Sequence, residues 1–162
     1  MAGASSWSFR EEDFKAISEH LNALLRETNV KSLILVDRAG QVVAHVGEPP
    51  QFDPQAFASL TAADFSANDQ LAKMIGEHEF SSLFHQGEKE SMYLADIARR
   101  VILVALFDNR TTLGMVRLKV KVTVEELTRL FEEMFNRVGT EKPRLEGFAS
   151  PEVEDEIDKL FG

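Results

Sequence analysis

The sequence predicts a mixed α/β fold with the element order αββαβββα, and three observations carry that reading. Several segments repeat apolar residues at helical spacing, which marks amphipathic helices. Short β-branched runs lie between turn residues, which marks strands. One of those runs, residues 101–107, is apolar at every position, as a strand covered on both faces must be.

The elements follow in order. Phe14, Ile17, Leu21, Leu24 and Leu25 share one helical face, and Ser8 with Glu11 forms a capping-box pattern, so a first helix is expected over residues 8–28. The run 33–36, a turn at Arg38, Ala39 and Gly40, and a second run over 41–46 read as a hairpin. Pro49 and Pro50 then interrupt the chain, and Asp53 followed by Pro54 is the pattern of an N-cap with proline at the first helical position. The helix that begins there carries Phe57, Leu60, Ala63, Ala67, Leu71, Met74 and Ile75 on one stripe and reaches about Gly76. It is rich in alanine and serine, and side chains that small allow a close approach by a partner surface.

Residues 77–90, with Phe80, Phe84 and Gly87, read as a linker, followed by strands over 91–98, 101–107 and 113–122. In the last of these, Val116, Leu118, Val120 and Val122 alternate with Arg117, Lys119 and Lys121, the period of a strand with one wet, basic face. A third helix is expected over 124–138, with Leu127, Leu130, Phe131, Met134 and Phe135 inward. The chain thus divides into a domain over 1–138, a Gly-, Pro- and Ser-containing linker over 139–150, and an amphipathic acidic helix over 151–162 capped by Ser150. In that last helix Val153, Ile157, Leu160 and Phe161 share a face.

Charge sharpens the division. The 162 residues hold 18 Lys and Arg against 27 Asp and Glu, a net charge of −9, which argues against nucleic acid as a partner because phosphate binding relies on clustered cations. Residues 139–162 contain seven of those acids and three of those bases, so −4 of the −9 sits in the tail. With no cysteine, the chain has no disulfide, thiolate metal site or cysteine nucleophile. No apolar run approaches the roughly 18 residues of a membrane span, and the N-terminus lacks the pattern of a signal peptide, so a cytoplasmic protein without membrane insertion is expected.

Nothing in the pattern supplies catalysis. There is no phosphate loop, His78 and His85 lack the spacing of a helical zinc pair, and the serines near His85 have no third group to orient a base. Neither a catalytic residue nor a cofactor or metal is expected.

The segments LILVDRAGQVVAHVG, FASLTAADFSANDQLAKMIGE, FHQGEKESMYL and VILVALFDNRTTLGMVRLKVK, in this order of elements, resemble the roadblock/LC7 family, and within it the bacterial mutual gliding protein B (MglB) type. The resemblance covers about residues 9–138, and the ending EIDKLF is similar to that type's C-terminal extension. It implies a five-stranded antiparallel sheet with helices on both faces, the middle helix alone on one of them. It also implies a homodimer, paired edge to edge, whose two middle helices form a platform. Two protomers would bind one Ras-like small GTPase of the mutual gliding protein A (MglA) type and stimulate its GTP hydrolysis without adding a catalytic residue. Cell polarity, gliding motility and a polar position in the cell follow from the same resemblance. On it, Ser66, Gln70 and Lys73 are the expected partner contacts on the middle helix, and Val153, Ile157, Leu160 and Phe161 form a second contact that affects nucleotide exchange. The alternative is a roadblock scaffold that tethers a GTPase or polarity factor without activating it. Where the family favours Gly-Asn and small residues on the middle helix, this chain has Ala63-Asp64 and Asp69-Gln70, larger groups expected to alter partner choice.

Overall fold

The structure, a computed structural model, describes residues 9–146, with side chains through Arg137. Eight elements follow one another: α1 (Glu11–Thr28), β1 (Ser32–Asp37), β2 (Val42–Gly47), α2 (Pro54–Met74), β3 (Ser82–Gln86), β4 (Ser91–Ile97), β5 (Val101–Phe107) and α3 (Leu113–Glu146). The strands form one antiparallel sheet in the order β2-β1-β5-β4-β3. β5, apolar throughout, takes the central position, with β1 and β4 as neighbours. The order αββαβββα holds, and α1 and α3 cover one face of the sheet while α2 covers the other.

Strand alternation sorts the core. Leu33 and Leu35 of β1, Tyr93, Ala95 and Ile97 of β4, and Val101, Leu103, Ala105 and Phe107 of β5 point towards α1 and α3. Ile34, Val36, Leu94, Ile102 and Val104 point the other way, onto Ala58 and Phe65 of α2.

Local chemistry sets the ends of the helices. α1 starts at Glu11, where the Asp13 carboxylate accepts the Arg10 backbone N–H at 2.9 Å. It stops at Asn29, whose left-handed backbone (φ 62°) breaks the helical run. The N-cap is Arg10, so the helix begins later than the start at residue 8 expected from the Ser8–Glu11 capping-box pattern. α2 is capped as expected: Asp53 accepts the Gln55 N–H at 3.1 Å and Pro54 opens the helix. The hairpin turn depends on Gly40, at φ +88°, where a Cβ would come within 3.0 Å of the Ser59 backbone on α2.

Two expectations fail together. Residues 113–122 are the first three turns of α3, and the fifth strand is β3, inside the stretch 77–90 read as a linker. Val116 and Val120 belong to a helical row that continues through Thr123, Leu127, Phe131 and Met134, all buried, while Leu118 and Val122 face out. The alternation of valine with lysine fits a strand equally well over so short a window. What decides it is that β5 is already paired on both sides, and that the Thr112 hydroxyl accepts the Met115 N–H at 3.2 Å and starts a helix. α3 also runs on to Glu146, so the first part of the segment read as a linker over 139–150 is helical. The helix expected over 151–162, with Val153, Ile157, Leu160 and Phe161, lies outside the described residues.

Candidate partner-binding surface

α2 carries two different rows. The row on the sheet is made of Ala58, Thr61, Phe65, Asn68, Asp69 and Ala72, all buried. Only one of these side chains is large and apolar. The remaining grip comes from charge: Arg38, in the turn after β1, places its guanidinium 5.0 Å from the centre of the Phe65 ring, pairs with Asp69 at 2.9 Å and hydrogen-bonds Asp96. Arg99 approaches Asp69 to 3.6 Å and bonds Glu79. This cluster ties α2 to the β1–β2 and β4–β5 turns at one end of the sheet.

The opposite row faces solvent and holds the large apolar residues. Leu60, Leu71, Met74 and Ile75 are 71%, 57%, 81% and 70% exposed, with Ala56, Ala63 and Ala67 between them. A row at this spacing is contiguous along a helix, and so many exposed large side chains mark a surface that something else covers.

The two flanks of that row can be told apart by what they touch. Asp64 meets His85 of β3 at 2.6 Å, so its flank looks towards β3, an edge of the sheet. Ser59 lies against Gly40, so the other flank looks towards the β1–β2 turn. Ser66, Gln70 and Lys73 are all exposed and share this second flank with Ser59 by helical spacing. The structure therefore brings these three expected contact residues together beside the apolar row, on the side away from β3. Of the departures expected to alter partner choice, Asp69 is turned inward and 8% exposed, and Asp64 is engaged with His85. Ala63 and Gln70 stand out into solvent.

Leu60, Leu71, Met74 and Ile75 were legible in the sequence as a helical stripe, but not as an outward one. The signal that separates the two rows is size. The inner row of α2 is small and polar apart from Phe65, which is the wrong composition for the larger burden of packing.

Other features offer less to a ligand. A cleft of about 540 Å³ lies between the β2–α2 loop and the start of β1, lined by Lys31, Glu48, Phe52, Glu90, Asp108 and Arg110. Its charges are spent on one another. Lys31 bonds Glu90, which raises its pKa, and the Arg110 side chain holds the Asp108 carboxyl below its ordinary value. His20 pairs with Glu126 at 2.9 Å and His45 meets the Glu48 carbonyl at 3.0 Å. Among the described residues no group of three His, Asp or Glu converges as a metal site, and no helix is long and apolar enough to cross a membrane.

Comparison with known proteins agrees with this geometry. The family description "Roadblock/LC7 domain" matches residues 16–107, more than half of the chain. Among solved structures, MglB of Myxococcus xanthus is 42% identical, covering 78% of this chain and 96% of that one with a TM-score of 0.74. The gliding protein mglB of Thermus thermophilus is 34% identical over 79% and 97% of the two chains, with the same TM-score. A structure described as MglB with a tetrameric arrangement is 33% identical over 80% and 97%, again at 0.74.

Proposed function

This chain belongs to the roadblock/LC7 family, and from that premise we propose that it is a homodimeric, cytoplasmic regulator of a Ras-like small GTPase of the MglA type, which it binds in the GTP form and activates. The observation that carries the proposal is the exposed apolar row of α2 standing beside the free edge of β3. Pairing two β3 edges about a two-fold axis continues the sheet, satisfies an otherwise open row of backbone groups, and brings the two α2 helices side by side. Leu60, Leu71 and Ile75, on or near the β3 flank, then face the second copy, and the crest and the Ser66, Gln70 and Lys73 flanks present the platform. Similarity to an MglB described as tetrameric supports self-association of this fold.

Such a platform needs no catalytic side chain. A GTPase that carries its own catalytic groups is accelerated by any surface that binds their competent arrangement better than the resting one. Val153, Ile157, Leu160 and Phe161 serve as a second contact that tunes nucleotide exchange, and a polar position in the cell would follow from the partner.

Phosphate release by a purified MglA-type GTPase, measured with and without this protein, tests the reading. Acceleration with two protomers per GTPase is expected, and Ser66→Arg is expected to abolish the complex while leaving the dimer intact. Stable binding at an unchanged hydrolysis rate would establish a tethering scaffold instead, and absence of any complex would refute both.

A further inference from the structure

The first turns of α3 present a second unclaimed surface, on the far side of the sheet from α2. Met115, Leu118 and Val122 are 43%, 62% and 50% exposed and stand at i, i+3 and i+7, turned away from the buried row of Val116 and Val120. They form a ridge two turns, or about 10 Å, long. By helical spacing Arg117 and Lys121 border it on the side of β4, where Arg117 sits 6.0 Å from the centre of the Tyr93 ring, and Lys119 borders it on the side of α1. Lys31, Arg38, Arg99 and Arg110 elsewhere are engaged with carboxylates, whereas among the described residues no ion pair engages Arg117, Lys119 or Lys121. An apolar ridge between uncompensated cations has as its complement an apolar stripe between acids.

The surface is sharply bounded. Residues 113–124 hold three cations and no acid, whereas residues 125–133 hold four acids and one cation. Glu125, Glu132 and Glu133 of α3 are exposed. So are Glu11, Glu12, Glu19 and Glu27 of α1, against Lys15 and Arg26, and α1 lies beside α3 where His20 pairs with Glu126 at 2.9 Å. A flat anionic membrane laid on this face would meet those carboxylates together with the ridge. A single helix, about 10 Å across, covers the ridge and its cationic borders alone.

We propose that the first turns of α3 dock an acidic amphipathic helix of another protein, one with apolar residues over two turns and Asp or Glu along both borders. A ridge on one helix packs into the groove of a facing helix, which selects a helical partner over an extended one. No described element of a second copy offers the pattern. The outer row of α2 is apolar, but its borders hold Lys73 and an Asp64 already paired with His85. The acids of α1 stand among Lys15, Asn22 and Arg26 rather than apolar residues, and a second α3 ridge sets cations against cations. Residues 151–161 carry both acids and apolar residues, but Val153, Ile157, Leu160 and Phe161 already serve the proposed GTPase contact. The docking depends neither on that contact nor on the dimer, and it gives the chain a further protein partner on the face opposite the α2 platform.

The test adds to the full chain a synthetic helical peptide with leucine on one face and glutamate along both borders, or its counterpart with lysine in place of glutamate, and reads binding by fluorescence anisotropy. The glutamate peptide is expected to bind about tenfold more tightly than the lysine peptide, and less tightly as salt rises. Arg117→Glu with Lys121→Glu is expected to weaken the glutamate peptide about tenfold and to strengthen the lysine peptide about tenfold, a reversal that loss of folding cannot give. Leu118→Asp is expected to remove binding of both peptides, while Lys15→Glu on α1 changes it less than about twofold. Absence of binding, equal binding of the two peptides, or binding untouched by Leu118→Asp overturns the proposal. So does sedimentation with phosphatidylserine-containing vesicles that the Arg117→Glu, Lys121→Glu variant loses, which assigns the face to a membrane. A lower solution mass for Leu118→Asp overturns it in favour of a second copy. Binding gained only after deletion of residues 148–162 overturns it in favour of the chain's own acidic segment.

Discussion

Among the described residues, 18 buried apolar residues form one continuous cluster on the α1/α3 face of the sheet, whereas on the α2 face the cluster has seven. The first face is closed by Ile17, Leu21 and Leu24 from α1 interlocked with Leu127, Phe131 and Met134 from α3. The second is closed by one helix that contributes Ala58 and Phe65 to the cluster and otherwise relies on Arg38, Asp69 and Asp96. The difference explains where the large apolar side chains of α2 went. They stand on its outer row, exposed to solvent, so α2 is held to its own sheet by one large apolar side chain and a charge cluster.

The comparison breaks most visibly at the thick face. Phe131 is fully buried between α1, α3 and the sheet, and its ring packs edge-on against Phe9 at 5.9 Å. Phe131→Ala is expected to cost about 3–5 kcal/mol, read as a fall in the urea midpoint at unchanged slope. A loss below about 1 kcal/mol would mean that this face is not the main core.

On the thin face the charge cluster replaces packing. Arg38→Met leaves Asp69 and Asp96, whose side chains are each 11% exposed, without their shared guanidinium. Removing one partner from a buried pair costs several kcal/mol, and because Arg38 is itself 26% exposed a loss of about 2 kcal/mol is expected. Amide exchange should quicken in α2 more than in α1, since Arg38 binds the former and not the latter. Equal quickening across both helices would show that α2 is not held separately.

What could be read from the sequence follows the same division. The β1–β2 hairpin and α2 each carry two agreeing signals, a period and a cap or turn residue, and formed where expected; β5 was marked by its unbroken apolar run and α1 by its apolar face, although α1 starts at Glu11, after residue 8. Residues 113–122 carry a valine–lysine alternation that obeys a period of two and, through Val116, Val120 and Thr123, a helical period as well. Only the full pairing of β5 and the Thr112 cap choose between them, and pairing is a property of the whole sheet. β3 was obscured because an exposed edge strand has little apolar alternation to show. On the candidate surface, the positions of Ser66, Gln70 and Lys73 on one helical flank were legible from spacing. The inward turn of Asp69 was not, because it depends on Arg38 and Arg99, 31 and 30 residues away in sequence.

Acid tests the seam between α1 and α3. Burial alone would push the Asp13 carboxyl up, but the Arg10 backbone N–H and the Arg137 guanidinium, at 2.6 Å, outweigh it and hold its pKa below the ordinary 3.8. A pKa lowered by folding adds stability that is present above the unfolded value and is lost as pH falls through the folded one. Asp13→Asn is therefore expected to cost about 1 kcal/mol at pH 7 and progressively less below pH 4, with the two unfolding curves converging in acid. A gap that stays constant with pH would assign the cost to packing.

The smallest stability effect is expected where the side chains are largest and most exposed. Leu60 and Met74 on the outer row of α2 are 71% and 81% exposed in the single chain, so Leu60→Ser and Met74→Ser should change unfolding by no more than about 0.5 kcal/mol when the protein is dilute enough to be monomeric. Association obeys a different rule. Whatever covers this row stabilises the folded chain in proportion to its concentration and affinity, so the unfolding midpoint of the unsubstituted protein should rise with protein concentration and that of the double variant should not. Concentration dependence is thus the measurement that separates the two rows of α2: Phe65, on the inner row, supports the fold at any dilution, while Leu60 and Met74 contribute only when a second molecule is present. If the double variant lost as much stability as Phe65→Ala in the dilute chain, the outer row would already be packed within one molecule, and the contrast between the two faces would disappear.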